Sequence, residues 1–151
     1  LVVYLSMGFG NPYGDHWTTE VTAEWTEMLL QRIDPDVISI ADTVGAATPE
    51  VVKDVFQVVG KLVPSEKLGA HLHLHPMEGM DKIKAAHEGG CLRFDGSLRG
   101  VGGCPMAQDD LIGNAPTEWI VQWARRCKIW DVQSEHALDQ ALSLAADLFS
   151  G

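Results

Sequence analysis

The chain has 151 residues, 46% hydrophobic and 21% charged, the composition expected of an ordinary soluble globular protein of one domain that can bury a core without staples. Lysine and arginine total 11 against 21 aspartates and glutamates, a formal charge of −10 that argues against nucleic acid as a partner, since phosphate binding needs a basic face. No apolar run approaches the ~20 residues of a membrane-spanning helix, and no membrane partner is expected.

In chain order, the pattern alternates strand and helix. Leu1 to Met7 is a β-rich run that stops at Gly8; it lacks a charged n-region and a cleavage site, so it reads as a strand. Because the chain opens inside that run, its natural start is expected upstream. Thr18 to Ile33 reads as a helix with Val21, Trp25, Met28, Leu29 and Ile33 on one apolar face. Asp34-Pro35-Asp36 punctuates it, and residues 37–41 form the second strand. Thr48 and Pro49 begin a helix as N-cap and first-turn proline, continuing through Val51, Val52, Val55, Val58 and Val59. Residues 68–73 form the third strand, Met77 to Glu88 the third helix, and residues 91–95 the fourth strand. Further helices are expected over 116–127 and 134–149. Such repeats make βαβ units and a parallel sheet, either a small doubly wound sheet or part of a (β/α)₈ barrel. A whole barrel takes ~250 residues, so this chain could form only about half of one.

In parallel α/β folds, active sites gather at the carboxyl ends of the strands. His71 and His73 alternate on the third strand, so both point to one face, ~6.6 Å apart along it, a spacing that can close on one divalent ion. The plain alternative is a polar strand edge. His75, beyond the strand and next to Pro76, is the weakest of the three histidines there. Cys104 lies in a Gly-Gly-Cys-Pro loop that could present a thiol as acid or nucleophile, whereas Cys91 and Cys127 suit small buried positions. The odd cysteine count, with no CxxC, favours a reducing compartment. Asp42 at the end of the second strand could be a ligand, a base or a cap of the following segment. Asn114 is by default a turn residue. Gly8-x-Gly10 lacks the third glycine of a dinucleotide fingerprint and is followed by Pro12, which excludes an NAD site.

The motifs together resemble a known family. They are Tyr4-Leu5-Ser6, Gly10-Asn11-Pro12-Tyr13, Ile38 to Gly45 followed by Thr48-Pro49, His71-Leu72-His73, Gly102 to Ala107, and Gly113-Asn114. In this order they are similar to the second half of 3-hydroxy-3-methylglutaryl-CoA lyase, covering residues 1 to about 120. Leu74-His75-Pro76 and Asp109 to Ile112 depart from the usual pattern. The resemblance implies an α/β fold, a parallel (β/α)₈ TIM barrel with this single-domain chain supplying strands five to eight. It implies retro-Claisen cleavage of a 3-hydroxyacyl-CoA to acetyl-CoA and a keto acid, with an Mg or Mn cation held by His71, His73 and Asn114. It further implies Cys104 as proton donor, catalytic roles for His71, Asp42 and Tyr4, and substrate contacts from Ser6, Asp42 and Thr43. The family's Arg-Asp pair and an early Glu are expected to lie upstream of Leu1, so the isolated chain should be inactive. Other implied properties are an acyl-CoA partner, homo-oligomerisation at full length, and a cytoplasmic or mitochondrial-matrix location. Related metal-dependent aldolases and acyl-CoA condensing synthases share His-x-His, and a non-catalytic metal-binding half-barrel is the remaining alternative.

Overall fold

The computed structural model describes residues 1–103, 112–129 and 135–149. Strand β1 (Val2–Leu5) is shorter than the apolar run, because Met7 enters the left-handed region at φ 56° and turns the chain. Helix α1 (Thr19–Leu30) follows, capped by Thr18, whose hydroxyl accepts from the Val21 N–H. Next come β2 (Val37–Asp42) and α2 (Pro49–Val59), the latter started by Thr48 and Pro49 as the sequence predicts. Then β3 (Leu68–Leu74), α3 (Gly79–Glu88) and β4 (Arg93–Asp95) continue the alternation. A two-residue strand β5 (Gly113–Asn114), α4 (Thr117–Arg126) and α5 (Glu135–Phe149) complete the described elements.

The four longer strands pair in parallel in the order β1-β2-β3-β4. Each strand lies beside its predecessor with no reversal of order. That is the arrangement of a barrel arc, and it rules out the doubly wound sheet, whose strand order must reverse. The sequence pattern did not predict β5, which pairs antiparallel with the end of β3, setting Asn114 opposite His73.

The sheet has two unlike faces. Ile38 and Ile40 of β2, with Leu68, Ala70, Leu72 and Leu74 of β3, pack against Val52, Val55, Phe56 and Val59 of α2 and Ile83 and Ala86 of α3. Each large side chain removed from water here contributes about 1.5–3 kcal/mol. Phe56 is fully buried, its ring 5.7 Å from that of Phe9. Phe56→Ala should therefore cost about 3–5 kcal/mol, measurable as a lower midpoint in chemical denaturation of the full-length protein; a loss under 1 kcal/mol would contradict this packing.

Helix α1 differs from its expected amphipathic face. Trp25 is 54% exposed and Met28 38%, whereas Thr22 and Thr26 are buried. The threonines can go inside because their hydroxyls find backbone acceptors, Thr22 on the Gly8 carbonyl at 2.8 Å and Thr26 on the Thr22 carbonyl at 2.8 Å.

Candidate functional site

The second face of the sheet is polar, and strand register explains which residues meet there. Tyr4 is level with Ser39, and Ala41, His71 and Asp95 form one row across β2, β3 and β4. Neighbouring Cα partners in a parallel sheet point the same way, so Tyr4, Ser39, His71, His73 and Asp95 share this face.

His71 and His73 stand with ring centroids 5.2 Å apart and planes nearly perpendicular at 88°. His73 is buried, and its Nδ1 lies 3.1 Å from the Asp42 carbonyl oxygen. A carbonyl can only accept, so Nδ1 carries the hydrogen and Nε2 is left as the lone-pair nitrogen. Burial holds the His73 pKa below its usual value, partly offset by that hydrogen bond. His71 is half-buried, its Nδ1 3.7 Å from Asp95 Oδ2. That separation is too long for a hydrogen bond, and this nitrogen is buried without a partner among the described residues. His73 thus has the Nδ1 hydrogen bond that fixes the tautomer and presents Nε2 in metal-binding histidines, while His71 Nδ1 only faces the Asp95 carboxylate across 3.7 Å.

Asp95 joins the other polar groups. The Ser39 hydroxyl donates to its Oδ2 at 3.3 Å, and the Tyr4 ring meets the His71 ring edge-on at 5.5 Å. His71 chiefly, with help from Tyr4 and Ser39, holds the Asp95 carboxyl below the ordinary aspartate value. The same carboxylate pushes the Tyr4 hydroxyl up, so Tyr4 stays protonated and acts as a donor. Ser39 and Asp95 were not among the expected site residues. Their signal was available: a serine inside the apolar run 37–41, and an aspartate ending the fourth strand.

Asn114 is placed by β5. Its backbone N–H donates to the Gly102 carbonyl at 2.9 Å, and its side-chain nitrogen donates to the Val101 carbonyl at 3.1 Å. With the nitrogen engaged there, the amide orientation is fixed and Oδ1 is the remaining acceptor. A cleft of about 480 Å³ opens beside Asn114, between Pro76, Arg99, Trp119 and Leu142; the two histidines do not line it. Gly102 and Gly103 run alongside, so close that a Cβ on Gly103 would sit 2.8 Å from the Ile112 carbonyl oxygen. Cys104 itself, with the stretch through Leu111, lies outside the described residues.

Asp42 occupies a different place from the one expected. Its carboxylate, only 3% exposed, is 3.1 Å from the Lys82 ammonium and accepts from the Ala47 N–H at 3.3 Å. Its backbone touches His73, but its side chain belongs to the turn into α2, the capping alternative with an unforeseen cation added. Burial raises its pKa, with Lys82 opposing the shift. The Thr43 hydroxyl is taken by the Met7 N–H at 2.8 Å and ties the β1 and β2 loops together. Ser6 is exposed at the carboxyl end of β1. His75 Nδ1 accepts from the Met77 N–H, away from the histidine pair. Cys91 is fully buried, its thiol pushed up to about 12 by burial, an inert position as expected.

The structure therefore gathers Tyr4, His71, His73 and Asn114, and it sets the side chains of Asp42 and Thr43 to holding loops. Among the described residues no three His, Cys, Asp or Glu side chains converge as metal ligands. What stands together is two imidazoles and an amide at one strand end.

A family model described as HMGL-like matches residues 9–147. The chain belongs to the HMGL-like family. It is 32% identical over 142 residues to a hydroxymethylglutaryl-CoA lyase of Bacillus subtilis, covering 94% of this chain and 46% of that protein. Among solved structures, the HMG-CoA lyase of Brucella melitensis superposes with a TM-score of 0.87 at 27% identity, covering 99% of this chain and 52% of that one. An HMG-CoA lyase of Acinetobacter baumannii, solved with coenzyme A and 3-methylmalate, superposes with a TM-score of 0.83 at 31% identity, covering 99% and 48%. The HMGL-like chain thus spans about half the length of these relatives, and its parallel sheet is part of their TIM barrel.

Proposed function

We propose that this HMGL-like chain supplies part of the active site of a divalent-metal-dependent lyase that cleaves a 3-hydroxyacyl-CoA to acetyl-CoA and a keto acid. The observation that carries the reading is the pair His71 and His73 with Asn114 opposite His73, at the carboxyl end of β3. The coenzyme A in the Acinetobacter relative supports an acyl-CoA as the substrate class.

The donor set fits part of the coordination shell of a divalent cation, with carboxylate ligands to be supplied from outside these residues. His71 and His73 would bind through Nε2 and Asn114 through Oδ1. When bound, the ion would act as a Lewis acid that lowers the pKa of the substrate hydroxyl. The residues of this chain then have separate tasks. Asp95 sets a negative charge beside His71 Nδ1, while Tyr4, kept protonated, offers a hydrogen-bond donor to the substrate face. In the cleavage a general base takes the hydroxyl proton, the carbon that bore the hydroxyl becomes the ketone, and the electrons of the broken C–C bond form the acetyl-CoA enolate. Cys104, three residues beyond Val101, is the proton donor to the enolate carbon in this reading.

Cys104→Ala in the full-length protein should keep metal content unchanged and lower turnover by about 10²–10⁴-fold, the range for a lost general acid. Coupled acetyl-CoA release with hydroxymethylglutaryl-CoA as substrate measures it. Wild-type turnover in that variant would return Cys104 to a structural role. The same assay run in reverse, with acetyl-CoA and a keto acid, separates cleavage from condensation.

A further inference from the structure

We propose that Lys82 is a positioning residue that clamps the β2–α2 loop onto β3 and so fixes the orientation of His73. The proposal rests on the functional reading above only where it concerns metal affinity.

Lys82 is fully buried on α3, where its ammonium donates to Asp42 Oδ2 at 3.1 Å and to the Gly45 carbonyl at 2.8 Å. One side chain from a helix thereby ties down two points of a loop that lies some forty residues earlier in the sequence. Both points bear on the candidate site. The Asp42 carbonyl takes the His73 Nδ1 hydrogen at 3.1 Å. Gly45, at φ +69°, presses onto the same strand: a Cβ there would lie 3.2 Å from the His73 carbonyl oxygen and 2.7 Å from Ile112 Cγ2. Ile112 leads directly into Gly113–Asn114, so the clamped loop touches the chain on both sides of the site.

A purely structural role is the competing account, and energetics weigh against it. Taking an ammonium and a carboxylate out of water costs several kcal/mol per ion, and apolar replacements of such pairs are often neutral or stabilising. The pair is placed where its geometry reaches His73, and an apolar pair of similar size could fill the space but could not hold the Gly45 carbonyl.

The test compares wild-type full-length protein with the double variant Asp42→Asn/Lys82→Met, which removes both charges and strands neither. Lys82→Met alone leaves a buried carboxylate unpaired and serves as the destabilised control. Nitrogen-15 NMR of the His73 ring, without metal, reads which nitrogen carries the hydrogen, and Mn²⁺ titration reads affinity. The expected result is a folded double variant in which His73 loses its single Nδ1–H form and Mn²⁺ affinity falls about 10–100-fold, the usual range for lost support behind a metal ligand. A folded double variant with the wild-type His73 tautomer and wild-type affinity overturns the proposal. So does a double variant that cannot fold, because the pair would then be an anchor of the fold. A wild-type protein that binds no Mn²⁺ overturns the functional reading instead, while the tautomer still decides the role of Lys82.

Discussion

Replacing both His71 and His73 by alanine in the full-length protein is expected to abolish stoichiometric divalent-metal binding. Turnover should fall by about a thousand-fold or more, since metal Lewis acidity supplies several kcal/mol of transition-state stabilisation and each 1.36 kcal/mol is tenfold. The two side chains differ in what else they do. His71 is half-buried and its Nδ1 makes no hydrogen bond among the described residues, so its removal leaves the core untouched. His73 is buried and donates to the Asp42 carbonyl, which also accepts from the Gly45 N–H, so His73→Ala alone should also lower stability by about 0.5–1.5 kcal/mol through the hydrogen bond it loses. Elemental analysis and thermal melts on the two single variants and the double variant separate these effects. Unchanged metal content in the double variant would sink the metal assignment.

The parts of this site that could be read in the sequence are those governed by local rules. Thr48 and Pro49 mark a helix start through capping and a fixed φ, needing no knowledge of the remaining fold. His71 and His73 could be placed on one face because strand alternation is set by the backbone itself. Long-range pairing was not legible. Gly113–Asn114 is too short to carry any periodicity, and it becomes a strand only because the end of β3 offers a free ladder position. Lys82 looks like an ordinary solvated lysine in a helix, and only the fold reveals that Asp42 and Gly45 wait for it. Trp25 and Met28 misled for a related reason. Their spacing on α1 is apolar, but Thr22 and Thr26 are the residues whose hydroxyls reach acceptors inside. Asp42 shows how a motif and a geometry can diverge. Its motif pointed to substrate, whereas its carboxylate sits in a buried ion pair and only its carbonyl serves the site.

A polypeptide of only these 151 residues is expected to self-associate and to show negligible lyase activity. The apolar residues of β1 and β2 are covered: Ile38 and Ile40 are fully buried and Leu5 packs against the same core, on the helix side. The opposite face carries Tyr4, Ser39, His71 and Asp95, which water tolerates. What invites association is the backbone: among the described residues β1 pairs only with β2, and β4 only with β3, leaving two rows of unpaired N–H and C=O groups. Apolar side chains on α5 add to this, with Leu144 63%, Leu148 77% and Phe149 61% exposed. Inactivity follows separately from the donor set. Two neutral imidazoles and one amide hold Mg²⁺ or Mn²⁺ poorly, because these hard cations favour carboxylate oxygen. The Arg-Asp pair that the lyase resemblance calls for is absent from the 151 residues. Size-exclusion chromatography with an acetyl-CoA release assay decides both points. A monodisperse monomer cleaving hydroxymethylglutaryl-CoA at the full-length rate would show that these residues alone bind the metal and close their own edges.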